Sequence, residues 1–191
     1  STLDPKEMLI RNPLLALFRC RYIFLNDRAK TILTLPAMPR VVLVEDWLVM
    51  REPEEIFRKI MEPGFDPRKT VILHSAPNPL PEGSGRPGSV SVLRSSTDWL
   101  EIEADLPRPA ILLVTDAYSS HWRVRSLSSG APQARYELLS ADYVLRAVPL
   151  SAGRHHLLME YRPLGFEIGK WISLISLIVF AGLGLGLLRR R

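Results

Sequence analysis

Few residues in this chain have both the type and the spacing for chemistry. Glu101, Glu103 and Asp105 recur at every second position. Paired carboxylates can act as general acid and base. Period-two spacing puts these three on one face of a strand, where a solvated acidic row is the expected use. His155 and His156 are adjacent, so on a strand they point to opposite faces and make a poor chelating pair. His74 and His121 have no partner at ligand spacing. Tyr118 and Trp122 can form an aromatic platform for a sugar, although core packing is the commoner use of such residues. There is no glycine-rich phosphate loop, no G-x-S-x-G and no Ser/His/Asp set legible from spacing. The expectation is no catalytic, metal or cofactor-binding residue and no cofactor, which leans away from an enzyme.

The elements that position these residues are mainly β. Residues 90–163 hold seven candidate strands: "SVSVLR", "WLEIEAD", "AILLVTD", "HWRVRS", "ARYELL", "YVLRAVP" and "HHLLMEYR". In "LEIEAD", Leu100, Ile102 and Ala104 share one face; in the last strand, Leu157, Met159 and Tyr161 do so. Short strands separated by turns predict an antiparallel β-sandwich of the jelly-roll or Ig-like kind. Residues 1–76 read as a small α+β segment. "DPKE" starts a helix with Asp4 as cap, and Asn12-Pro13 repeats the signal. "RYIFL", "RVVLV", "WLVM" and "TVILH" read as strands, and "PEEIFRKIM" as a helix with Ile56, Phe57, Ile60 and Met61 on one face. The stretch "APNPLPEGSGRPGS" has four prolines and three glycines, so residues 77–89 read as a linker.

Charge excludes little. The formal net charge is +5, of which Arg189, Arg190 and Arg191 supply three. The other basic residues are scattered among acids without a stripe or a nucleic-acid motif, so no nucleic-acid partner is expected. Cys20 is the only cysteine, so no internal disulfide can form.

The tail, "YRPLGFEIGKWISLISLIVFAGLGLGLLRRR", breaks with all of this. Trp171 to Leu188 contains no charged residue. At ~1.5 Å per residue it spans roughly 27 Å, close to the ~30 Å of a bilayer's hydrocarbon core. Residues 166–188 are therefore the expected transmembrane helix, with Lys170 able to snorkel and Trp171 at an interface. Gly182 and Gly186 form a small-xxx-small pair that lets another helix approach closely. Residues 189–191 form a basic end. The positive-inside rule, read from Lys170 before the span and Arg189–Arg191 after it, puts the C-terminus in the cytoplasm and residues 1–165 outside. Residues 1–20 lack signal-peptide character, because Asp4 and Glu7 stand where basic residues are needed and "PLLALF" is a short apolar core. Translocation then calls for a removed signal or preceding membrane helices. A tail-anchored arrangement would place the arginines on the wrong side.

Two stretches carry a resemblance. "LLVTDAYSSHWRV", Leu112 to Val124, is similar to "LLVLSDxYYPGWKA" of the bacterial YfhO-like membrane proteins, with Ser119-Ser120-His121 in place of the Tyr-Pro-Gly turn. "ADYVLRAVPLSAGRHHLLMEYRPLGFEIGKWISL" resembles that family's closing segment of strand, turn, strand and last transmembrane helix, while "FDPRKTVIL" and "RYIFLND" add to the likeness. The resemblance implies the C-terminal extracytoplasmic domain and final helix of a polytopic protein related to GT-C glycosyltransferases, which use lipid-linked sugars. In those enzymes the catalytic acid lies among early membrane helices, so no catalytic residue transfers to this chain.

Two functional expectations follow. One is a non-catalytic, single-pass, extracytoplasmic β domain of the bacterial inner membrane. It would act as an accessory subunit that braces a large membrane complex and touches lipid and neighbouring helices. The alternative is the C-terminal portion of a polytopic YfhO-like glycosyltransferase.

Overall fold

The computed structural model describes residues 5–10, 12–25, 30–82, 85 and 87–188, with residues 5, 6 and 183–188 described by backbone alone. The Asp4 cap and Arg189–Arg191 lie outside the described residues. The chain opens with two short helices, α1 (Pro5–Ile10) and α2 (Pro13–Leu17). The Asn12 side chain accepts a hydrogen bond from the Leu14 N–H at 3.0 Å, and Pro13, with no N–H to satisfy, takes the first helical position. Then come β1 (Tyr22–Phe24), β2 (Ile32–Thr34), β3 (Val41–Val44), β4 (Asp46–Val49), α3 (Pro53–Ile60) and β5 (Thr70–Leu73). After a long loop follow β6 (Ser89–Ser95), β7 (Trp99–Leu106), β8 (Ala110–Val114), β9 (Trp122–Ser126), β10 (Leu139–Ala141), β11 (Leu145–Leu150) and β12 (Gly153–Tyr161). The chain then enters α4 (Leu164–Leu188).

The protein is mainly β. A six-stranded sheet has the order β3-β8-β11-β10-β5-β4, and a four-stranded antiparallel sheet the order β6-β7-β12-β9. The six-stranded sheet is antiparallel except for the β4–β5 pair, which is parallel and spans α3. Both faces of its strands β8 and β11 are buried, which explains why "AILLV" and "LRAVPL" read as continuous runs. Ile111, Leu113, Leu145 and Ala147 face a core with Leu17, Ile56 and Ile60 of the helices. Leu112, Val114, Val148 and Leu150 face the other sheet and meet Leu100, Ile102, Leu157 and Met159. The four-stranded sheet packs its apolar side chains on one face, hence the alternation of residue type along β7 and β12.

Several expectations are corrected. The six-stranded sheet takes β3, β4 and β5 from residues 1–76 and β8, β10 and β11 from residues 90–163, so the division at 77–89 cuts through one sheet. The loop itself lies against the body: Pro77 is buried, and the Glu82 N–H donates to the Pro109 carbonyl at 3.2 Å. On α3 only Ile56 and Ile60 enter the core, while Phe57 and Met61 are exposed beside Tyr143. In "ARYELL" only Leu139 belongs to a strand, and β2 falls in no predicted strand.

Candidate functional site

The feature that sets this molecule apart is where the sandwich meets α4. Only Arg162 and Pro163 separate the end of β12 from the helix. The helix starts on Pro163, whose carbonyl accepts from the Phe166 and Glu167 N–H groups. From Leu164 to Gly182 the helix is long and apolar enough to cross a membrane, and none of that stretch is buried against the rest of the chain. Lys170 pairs with Glu167 one turn back, so its ammonium is held at the start of the helix. Trp171 is exposed. A Cβ added to Gly165, Gly169 or Gly182 would meet nothing within 4 Å. Gly186 and Leu188 lie within α4, where side chains are not described.

Above the helix the sandwich ends in a polar network that strand periodicity half reveals. Arg146 shares parity with Val148 and Leu150 and therefore points between the sheets. Its side chain is almost wholly buried. Nη2 lies 3.3 Å from Asp116 Oδ2, Nε donates to the Asp116 carbonyl at 3.3 Å, and Nη1 donates to Met159 Sδ at 3.2 Å. The guanidinium carbon sits 3.9 Å from the centre of the Trp122 ring, a cation–π contact in a dry setting. Burial pushes Arg146 down to about 10, against the pull of Asp116, so it stays cationic at neutral pH. Arg40 meets Asp116 Oδ2 at 2.9 Å and Arg19 meets Oδ1 at 3.2 Å. Three guanidiniums thus share one carboxylate. The inward-facing arginine of "VLRAVPL" was the available signal for this network. Asp116, Arg40 and Arg19 come from other elements, and nothing in the local pattern pointed to them.

The residues singled out from sequence fall in different places. Trp122 is half-buried, with Arg146 against its ring and Tyr161 at 5.4 Å, so it works as packing. Tyr118 is exposed, and its N–H donates to the Val144 carbonyl. Glu101 is not on a freely solvated row: it is buried, bonded by Arg94 Nε and His156 Nε2, each at 2.8 Å. The Arg94 bond, then the His156 bond, hold its carboxyl below the usual range. Glu103 pairs with exposed Arg154 at 2.9 Å, and Asp105 is exposed.

His155 and His156 do face opposite ways. His155 is buried between the Tyr136 hydroxyl and the Ser151 carbonyl, each at 2.9 Å, and burial pushes its pKa down. The carbonyl can only accept, which assigns the proton to Nε2 and leaves Nδ1 to accept from Tyr136. His121 bonds Ser119 Oγ at 3.2 Å, and His74 is exposed. Among the described residues no three His, Cys, Asp or Glu side chains are grouped to hold a metal ion.

Beside the junction runs an open groove of about 860 Å³, with Arg94, Trp99, Glu160, Tyr161, Phe166 and Lys170 among its lining. It mixes aromatic and charged side chains but holds no activated nucleophile. No protein-family profile, curated protein or solved structure matches the chain. The likeness to YfhO-like proteins therefore rests on the quoted segments alone.

Proposed function

We propose that this chain is a membrane-anchored, non-catalytic β domain that braces a larger membrane assembly. The observation that carries the reading is α4: an apolar helix with no part of Leu164–Gly182 buried, joined to the sandwich by two residues. Apolar surface of that extent calls for lipid or other helices as its surroundings. The open glycines at 165, 169 and 182 favour close packing of a second helix. The arginines after the span favour a cytoplasmic C-terminus in a bacterial inner membrane, with the sandwich outside.

Purification of the full chain in mild detergent tests the proposal. Migration with a large membrane complex is the expected result, and a lone monomer would sink it. The quoted resemblance favours a second reading, in which these residues close a polytopic glycosyltransferase. The mass of the intact native polypeptide separates the two: near 21.6 kDa it excludes the transferase, and several-fold larger it excludes the separate subunit. For the topology, half-buried Cys20 should react with a membrane-impermeant thiol reagent in intact spheroplasts. Protection of the whole domain from added protease would reverse the orientation.

A further inference from the structure

We propose that the β1–β2 hairpin and the basic side chains at its root dock on anionic lipid headgroups, giving the domain a second contact with the bilayer that α4 enters. The inference rests on the membrane reading of α4. Three observations carry it.

The first is position. The end of β12 pairs with the start of β9, Tyr161 opposite Trp122, so Trp122 lies at the end of the sandwich from which α4 leaves. Trp122 stacks on Arg146, and Arg146, Arg40 and Arg19 converge on Asp116. Arg19 lies between α2 and β1, close to both. The hairpin is therefore rooted at the helix-bearing end.

The second is an uncovered apolar face. β1 and β2 pair only with each other, in register Tyr22↔Thr34 and Phe24↔Ile32. Tyr22, Phe24 and Ile32 thus share a face, and they are 52%, 76% and 54% exposed. Phe18, at the root, is exposed as well. A ribbon of two three-residue strands is marginal by itself and gains from having its apolar face covered.

The third is charge. Residues 12–40 contain Arg19, Arg21, Arg28, Lys30 and Arg40 against Asp27 alone. That stretch carries a net +4, partly offset elsewhere in a chain whose formal total is +5, and Asp116 offsets only one charge of the root cluster. Aromatic side chains beside Lys and Arg suit a headgroup region of negative potential. A neutral protein groove would leave this charge unmatched.

Depth-dependent quenching on the full chain tests the proposal. In a Cys20→Ser background, single cysteines replacing Phe24, Ala152 or Phe166 carry a fluorophore quenched by headgroup-nitroxide lipids. Ala152 is exposed in the β11–β12 turn at the opposite end of the sandwich, and Phe166 reports on α4. In phosphatidylcholine vesicles containing phosphatidylglycerol, the label at 24 should be quenched at least twofold more than that at 152. The excess should shrink in pure phosphatidylcholine and with Arg21→Glu and Lys30→Glu, both exposed positions. Quenching at 166 with none at 24 overturns the docking and leaves the anchor intact. No quenching at 166 overturns the membrane reading and the docking with it. Protection of position 24 that grows with protein concentration and not with anionic lipid assigns the face to a second copy, and also overturns the proposal.

Discussion

Replacing Asp142 with asparagine should change the pH dependence of stability. Asp142 lies between β10 and β11 at φ 43° and is 1% exposed. Its Oδ1 accepts from the Ile72 N–H at 2.8 Å, and its own N–H donates to the Ile72 carbonyl at 2.8 Å. Oδ2 is buried with no partner. Burial raises the carboxyl from 3.8 to about 7, with the Ile72 N–H pulling the other way. A raised acid binds its proton more tightly when folded. Between about pH 4 and 7 the native state keeps a proton that the unfolded chain has lost. Asp142 therefore drains stability as pH rises through that window and changes nothing further above it.

At ~1.4 kcal/mol per unit the whole span is at most about 4 kcal/mol. An asparagine side chain at this position would keep an acceptor for Ile72, tolerate the positive φ and never ionise. Asp142→Asn should then gain up to about 4 kcal/mol over wild type at about pH 8, falling to within ~1 kcal/mol at about pH 4. Urea unfolding of the full chain in detergent, followed by tryptophan fluorescence across that range, reads the difference. His155, pushed down by burial, weakens both proteins alike in acid and cancels in the comparison. A difference between the two proteins that stays constant across this range would refute the reasoning.

Substitutions at two further positions test the packing. Gly88 has φ +117°, and an added Cβ would sit 2.1 Å from the Asp105 carbonyl oxygen, so Gly88→Ala should cost roughly 2 kcal/mol or more, read as a lowered unfolding midpoint. Arg146→Ala should cost about 3 kcal/mol through the space left under Trp122, whereas Arg146→Met should stay within ~1 kcal/mol, because Asp116 keeps Arg19 and Arg40 as partners; equal losses for the two variants in urea titrations would show that charge, not volume, holds that end.

Much of the architecture was legible because it is local. The Asn12-Pro13 cap, the Ile56/Ile60 pair and the alternation of β7 and β12 each follow from a period or a cap chemistry spanning a few residues. The membrane-length helix is more local still, since it depends on composition over one stretch. What went unread depends on partners far apart. Glu101 looks solvated until Arg94 and His156 are brought to it from neighbouring strands. Proline and glycine content marks residues 77–89 as irregular, but composition cannot distinguish a tether from a loop laid on a sheet. The charge of residues 12–40 was countable, yet a whole-chain total hid it.

The sequence by itself determined that the chain is mainly β and ends in an apolar helix, because side-chain period and hydropathy act over a few turns or strands. Only the tertiary structure decided that β3, β4 and β5 join β8, β10 and β11 in one sheet, and that Arg19, Arg40 and Arg146 meet on Asp116. Those choices depend on which distant surfaces bury one another. A buried guanidinium also finds its carboxylate by the geometry of packed strands, not by its place in the chain.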